Sequence, residues 1–206
     1  EQKINLICNI LKKINLKNLL ITAPENVAWL LDIRGKDSFY SPIPNCNAII
    51  NYKKTVTLIV ENNKISKNFR SYFGKNLKYL NPSNIIKYLN SLDSKESFLI
   101  DKITCSLFYK KKIAKKFKYV EKVDPIFFLK SKKNNVEINN TIKSHIFDGV
   151  ALTKFIFWIK NNIYKFKITE LSAQKKLEQF RKKNSNYIFP SFNTISGTGP
   201  NGAIPH

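Results

Sequence analysis

The sequence predicts an α/β domain followed by the opening of a second, α+β domain. Three observations predict it. Short β-rich apolar runs alternate with amphipathic segments over roughly the first 130 residues, which is how a sheet covered by helices reads. From Asn134 the pattern lengthens into a sustained helical period. The last fifteen residues, FNTISGTGPNGAIPH, form a glycine-rich loop that delivers an imidazole at His206.

Taken in order, Ile4, Ile7, Leu11 and Ile14 recur at three and four residues and mark an amphipathic helix over Glu1 to Leu16. Leu19 to Thr22 is short and apolar, as a buried strand is. Ala48 to Ile50 and Val56 to Val60 flank Asn51, Tyr52, Lys53 and Lys54, which suits an antiparallel hairpin. Asn81 followed by Pro82 supplies an N-cap and a first helical residue for a helix carrying Ile85, Ile86 and Leu89. A buried strand at Phe98 to Ile100 and a helix over Thr104 to Lys116 follow, and the domain closes near Asp124 and Pro125. We therefore place the first domain at residues 1–130 and the second at 134–206.

In the second region Ile142, Ile146, Val150, Thr153 and Phe157 form a stripe on one helix, from Asn134 to Ile163. Thr169 caps another that runs to Arg181, with Glu170 in its first turn, where a negative charge suits the helix dipole. Tyr187 to Phe189 and Phe192 to Ile195 read as strand feeding the glycine loop. Neither a repeat nor a low-complexity tract is evident.

Composition bounds the function. The longest apolar stretch, Ile146 to Ile159, is broken by Asp148 and Lys154 and falls short of the roughly 20 residues of a membrane span. No bilayer crossing is expected. Cys8, Cys46 and Cys105 lie far apart in odd number, against a disulfide framework or a zinc clip, so a reducing cytoplasm is the expected compartment. The formal charge of +22 would attract phosphate, yet of 36 basic residues only Arg34, Arg70 and Arg181 are arginines. A solvated lysine surface is the better reading, and nucleic acid is not an expected partner. The densest cluster, Lys110 to Lys118, interleaves Ile113, Ala114 and Phe117 as the wet side of an amphipathic helix does. With no methionine and Glu1 first, the chain reads as an internal segment of a longer polypeptide.

Three stretches together carry a resemblance: NVAWLLDIRGKD at Asn26 to Asp37, running into YSPIP at Tyr40 to Pro44; EINNTIKSHIFDGVALTKFIFW at Glu137 to Trp158; and ITELSAQKKLEQFR with FNTISGTGPNGAIPH between Ile168 and His206. In this order and spacing the chain resembles the Xaa-Pro aminopeptidases (aminopeptidase P) of the pita-bread metallopeptidase family. The resemblance covers almost the whole chain. It implies a creatinase-like α/β middle domain followed by the truncated start of an α+β pita-bread catalytic domain. It also implies two divalent metal ions, usually manganese, held by two Asp, one His and two Glu that all lie beyond His206 in the family's order; none of the residues present is expected to ligate metal. Prolidases and creatinases share the fold, but NVAWLLDIRG and GPNGAIPH look closer to aminopeptidase P.

The substrates implied are peptides with proline in second position, cleaved before that proline. In such sites a water bridging two metals is deprotonated near neutral pH and attacks the imide carbonyl. By the same resemblance the histidine closing the GPNGAxxH segment, His206, binds substrate and moves a proton, work suited to an imidazole. Pro205 departs from the apolar residue usual before it, fixing φ and removing a backbone donor. The parent is expected to be the enzyme and this chain alone to be inactive; relatives commonly form homodimers. A different class of reading, a non-catalytic pita-bread protein binding peptides or histones, stays open.

Other residues read as structural. His145 sits among apolar neighbours on a helix, Arg34 and Asp37 shape a loop at a domain or dimer contact, with a place in a substrate channel as the alternative, and Trp29 and Trp158 lie inside apolar runs as core residues do. Asp148 and Gly149 interrupt the helical stripe and suggest helix packing. The helices after Asn134 present an apolar face for which this sequence supplies little sheet.

Overall fold

The computed structural model describes residues 2–74 and 77–203, and the chain divides into two compact units, 1–132 and 133–206. The first unit is a six-stranded sheet between two layers of helices. Its strands are β1 (Asn18–Ile21), β2 (Asn47–Asn51), β3 (Val56–Ile59), β4 (Leu77–Leu80), β5 (Ser97–Asp101) and β6 (Lys118–Lys122), in the order β4-β3-β2-β1-β5-β6. The sheet is mixed. β2 runs antiparallel to β1 and β3, with Leu19 opposite Ile50 and Ile49 opposite Thr57, while β3–β4, β1–β5 and β5–β6 are parallel.

Strand alternation sends successive side chains to opposite faces, so a strand covered on both sides is apolar throughout. β1 shows this directly. Leu19 and Ile21 enter one core with Leu99, Ile50 and Leu58, whereas Leu20 enters the other with Phe98, Ile100 and Ile49. The first core is roofed by α1 (Gln2–Lys13), α2 (Pro24–Leu31), α3 (Lys67–Phe73) and α6 (Pro125–Ser131) through Ile7, Leu11, Val27, Phe69 and Ile126. The second is roofed by α4 (Ile85–Ser91) and α5 (Leu107–Ala114) through Ile85, Leu89 and Ile113, with Phe117 against Phe98 at 5.0 Å between ring centres. Each fully buried large side chain contributes about 1.5–3 kcal/mol.

Local chemistry sets the helix ends. Pro24 stands in the first turn of α2, and Asp32 stops it in the left-handed region at φ 54°, a conformation Asp tolerates better than most residues. Asp124 caps α6, its carboxylate accepting from Ile126 N–H at 2.9 Å, and Pro125 follows at N1. Asp124 and Pro125, read as the close of the domain, therefore begin a helix whose Ile126 is fully buried in the first core. Asn81 accepts from Ser83 N–H at 3.0 Å and opens a short 3₁₀ turn, Pro82–Asn84, that leads into α4.

The second unit is built on α7 (Asn135–Asn162) and α8 (Glu170–Arg181), both started by reciprocal caps, Asn134 with Glu137 and Thr169 with Ser172. Asp148 on α7 receives a two-pronged contact from Arg181 on α8, Nε at 2.6 Å and Nη2 at 3.2 Å, and Trp158 lies 6.2 Å from Phe155 and 6.1 Å from Phe166. Asp148 thus joins two helices, as the sequence suggested. The expected stripe is in place but open to solvent: Ile142 is 53% exposed and Phe157 72%, and among α7 residues only Ala151 is buried. The strands expected at Tyr187 to Phe189 and Phe192 to Ile195 do not form. A strand exists only through a ladder partner, and among the described residues no segment pairs with either.

Candidate functional site

The glycine loop is held by a group whose role the sequence reading missed. Glu170, in the first turn of α8, accepts from Thr198 N–H at 2.7 Å and from Asn201 Nδ2 at 3.1 Å and 3.3 Å through its two oxygens. One carboxylate therefore ties both sides of the turn to a helix start, where its charge is also favoured by the helix dipole. Reading Glu170 only as a dipole partner left out this tether. The signal available was Glu170 placed just after its cap and Asn201 inside the loop, 31 residues apart, a separation no local pattern spans.

Backbone geometry explains the glycines. A Cβ on Gly197 would lie 3.0 Å from the Asn201 carbonyl oxygen and 3.1 Å from Gly202 Cα, so the two sides of the loop close on each other there. Gly199 adopts φ +55°, which favours glycine. Residues Gly199–Ala203 then make a 3₁₀ turn. Ile204, Pro205 and His206, including the proposed catalytic and substrate-binding imidazole, lie outside the described residues.

The segment that leads into the loop, Tyr187 to Ile195, lines a groove of about 630 Å³ together with His145, Asp148 and Arg181 among others. His145 is exposed here and not enclosed in a core, and its Nδ1–H donates to the Thr141 carbonyl at 2.9 Å. The apolar neighbours on its helix are themselves uncovered, so the contact the ring makes is to its own helix backbone. The Tyr187 hydroxyl finds no hydrogen-bond partner although its oxygen is buried, and burial followed by Glu178 pushes its pKa up.

In the first unit the Arg34 to Pro44 loop is fixed by its own contacts. Gly35 N–H donates to Pro42 O at 2.9 Å, and a Cβ at Gly35 would fall 2.5 Å from Pro44 Cα. Asp37 accepts from Asn45 N–H at 2.7 Å and pairs with Lys64 at 2.8 Å; the Lys64 hydrogen bond holds its carboxyl below the ordinary range. Arg34 donates to its neighbour Ile33 O at 2.9 Å. Trp29 is half-buried at the edge of the first core with Lys3 4.5 Å over its ring, whereas Trp158, expected in a core, is half-buried among Phe155, Phe166 and Lys176, the last at 5.3 Å. The basic cluster divides between α5 and β6: Ile113 and Phe117 are buried, and Lys110 pairs with Glu121 at 2.7 Å.

Among the described residues no group of three or more His, Cys, Asp or Glu could hold a metal ion, and no helix is long and apolar enough to cross a membrane. The described residues do not by themselves supply the donors of a dinuclear metal site. What the second unit offers is a carboxylate-tethered loop and an open groove lined by the segment that precedes it.

Comparison with known proteins accounts for both units. Residues 1–137 match the creatinase/prolidase N-terminal domain, and residues 139–206 match metallopeptidase family M24. The Xaa-Pro aminopeptidase ApepP of Drosophila melanogaster is 32% identical over 200 residues, 95% of this chain and 32% of that protein. Xaa-Pro aminopeptidase 1 of Dictyostelium discoideum is 30% identical over 212 residues, 100% of this chain and 33% of that protein. The chain spans about a third of the length of these relatives. Among solved structures, X-prolyl aminopeptidase from Caenorhabditis elegans, described as a cytosolic enzyme with a di-nuclear active site, superposes with a TM-score of 0.85 at 22% identity, covering 95% of this chain and 33% of that one. Prolidase from Pyrococcus horikoshii OT3 gives 0.66 at 20% identity over 100% of this chain and 55% of that one. At these identities the structures speak to fold, and the fold is theirs: a creatinase-type α/β domain leading into a pita-bread domain. The chain belongs to the creatinase/prolidase N-terminal domain family and runs on into metallopeptidase family M24.

Proposed function

We propose that this chain is part of a metal-dependent Xaa-Pro aminopeptidase, an enzyme that hydrolyses the bond between an N-terminal residue and a following proline. The observation that carries the reading is the Glu170-tethered loop at Thr198 to Ala203, three residues before His206, in a chain 32% identical to an Xaa-Pro aminopeptidase. On this reading the loop fixes where the imidazole stands, and His206 hydrogen-bonds the substrate and moves a proton during cleavage. A preorganised backbone suits that work, since misplacement by about 1 Å can cost on the order of a hundredfold in rate. Two divalent ions, manganese in the first instance, would supply Lewis-acid chemistry from ligands elsewhere in the polypeptide, because the described residues hold no suitable cluster. The 206-residue chain by itself is then inactive.

Peptides with proline second are the proposed substrates, and the cytoplasm the proposed compartment, as the C. elegans neighbour is described as cytosolic. The non-catalytic peptide- or histone-binding reading gains no support, since the relatives above carry peptidase names. Assaying the full polypeptide that contains this segment against an Xaa-Pro-Xaa tripeptide with manganese decides the matter. Release of the first residue is expected; no release with any divalent metal rejects the proposal.

A further inference from the structure

A second cleft, in the first unit, has the makings of a ligand site that the peptidase reading does not use. It encloses about 360 Å³ between the Arg34 to Asp37 loop and strand β3. Its floor is apolar: Ile33, Cys46, Leu58 and Val60 are all buried and line it. Its rim is charged. Arg34, Lys36 and Lys64 stand there with one carboxylate, Asp37, and Asp37 is already engaged by Lys64 at 2.8 Å and by the Asn45 N–H at 2.7 Å. Arg34 and Lys36 therefore give the mouth an excess of positive charge. Small size, an apolar floor and a few polar groups at one end are the features of a pocket for a short ligand.

The lip is also preorganised. Gly35 presses so closely on Pro44 that no side chain fits between them, and its N–H is held by Pro42 O at 2.9 Å. Binding need not order the loop, which spares part of the usual entropic cost. Burial, followed by the nearby Asp37 charge, pushes the Cys46 thiol up to about 12, so the sulfur acts as apolar lining and not as a nucleophile.

We propose that this cleft binds an apolar monocarboxylate, with the carboxylate against Arg34 and Lys36 and the apolar body over Leu58 and Val60. A free short-chain acid and the C-terminal apolar residue of a peptide both have this chemistry. The test is methyl NMR of the 206-residue chain, following Ile33, Leu58, Val60 and Ile65 while hexanoate or N-acetyl-leucine is added, each beside its neutral amide. Saturable shifts at these methyls are expected, with the acid binding at least about fivefold more tightly than its amide. The Arg34→Gln, Lys36→Gln double variant should remove that preference while the amide binds as before. Tighter binding of hexanoate assigns the free acid, and tighter binding of N-acetyl-leucine the peptide terminus. Absence of saturable shifts with either acid, shifts confined to other parts of the chain, or equal affinity for acid and amide would overturn the proposal.

Discussion

Replacing Asn26 with alanine should cost the first unit more than any surface change of similar size. Asn26 is fully buried, its amide donates to Asp124 Oδ2 at 2.8 Å, and its carbonyl accepts from Lys130 at 2.7 Å. Through these bonds it joins α2 to α6 across 98 residues of sequence. A hydrogen bond to a charged group contributes about 1.5–3 kcal/mol, and the partly exposed lysine contact adds less than about 1 kcal/mol. The expected loss is about 2–4 kcal/mol, a fall of about 1–2 M in the urea midpoint for a slope of about 2 kcal/mol/M. In a Trp158→Phe background, Trp29 fluorescence reports the first unit alone. Asp124 adds a pH signature. Burial is the main cause that raises its pKa, and the Asn26 bond is among the contacts that hold it down. A raised carboxylate favours the folded state when protonated, so its contribution falls as pH rises from the unfolded value of about 3.9 to the folded one and is flat above. Without Asn26 the folded value climbs further. The deficit of the variant is therefore greatest near neutral pH and narrows toward about pH 4. A loss under about 0.5 kcal/mol, or a deficit independent of pH, would refute the reasoning.

Other expectations follow from the same contacts. Asp101 is buried, and although burial opposes its charge, hydrogen bonds from Thr104, the Asp124 N–H and Ile103 outweigh it and lower the pKa. Its stabilisation is present above the unfolded pKa and lost as pH falls through the folded one, so Asp101→Asn should cost about 1–3 kcal/mol near neutrality and flatten the acid limb of urea midpoint against pH. Gly35→Ala should shift the Pro42 to Asn45 backbone amides in NMR spectra and destabilise the first unit by about 1–3 kcal/mol, since the obstruction is backbone and ring. The Asp148–Arg181 pair is half exposed on the Asp side, so a double-mutant cycle should return a coupling of no more than about 1 kcal/mol despite its good geometry. With so little of α7 buried, amides of α7 and α8 in the 206-residue chain should exchange faster than those of β1 and β5.

Much of this fold was legible where a local period ran long enough. α1, the β2–β3 hairpin, β1, β5, α7 and α8 follow from spacing and caps alone. α2 did not, because PENVAWLL is eight residues with most of its length buried, and a short apolar run fits strand or helix equally. β6 was hidden inside a lysine run: KYVEK is an edge strand whose charges belong to solvent and guard an open edge. At the other edge, β4 and the short α3 before it carry too few residues to show a period. The glycine loop was legible as a turn. Its anchor was not, since Glu170 meets Thr198 and Asn201 only after α8 and the chain beyond it have folded back. The Asn26–Asp124 bond is of the same kind, a pairing created by the sheet.

The central claim, that His206 acts on substrate in an Xaa-Pro aminopeptidase, is tested most directly by His206→Ala in the full polypeptide, with metal content and kcat/KM for an Xaa-Pro-Xaa peptide measured on the same preparation. The account predicts unchanged metal occupancy and a loss of about 10²–10⁴ in kcat/KM, the range for a positioned acid–base group. Unaltered cleavage by the metal-loaded variant would contradict it.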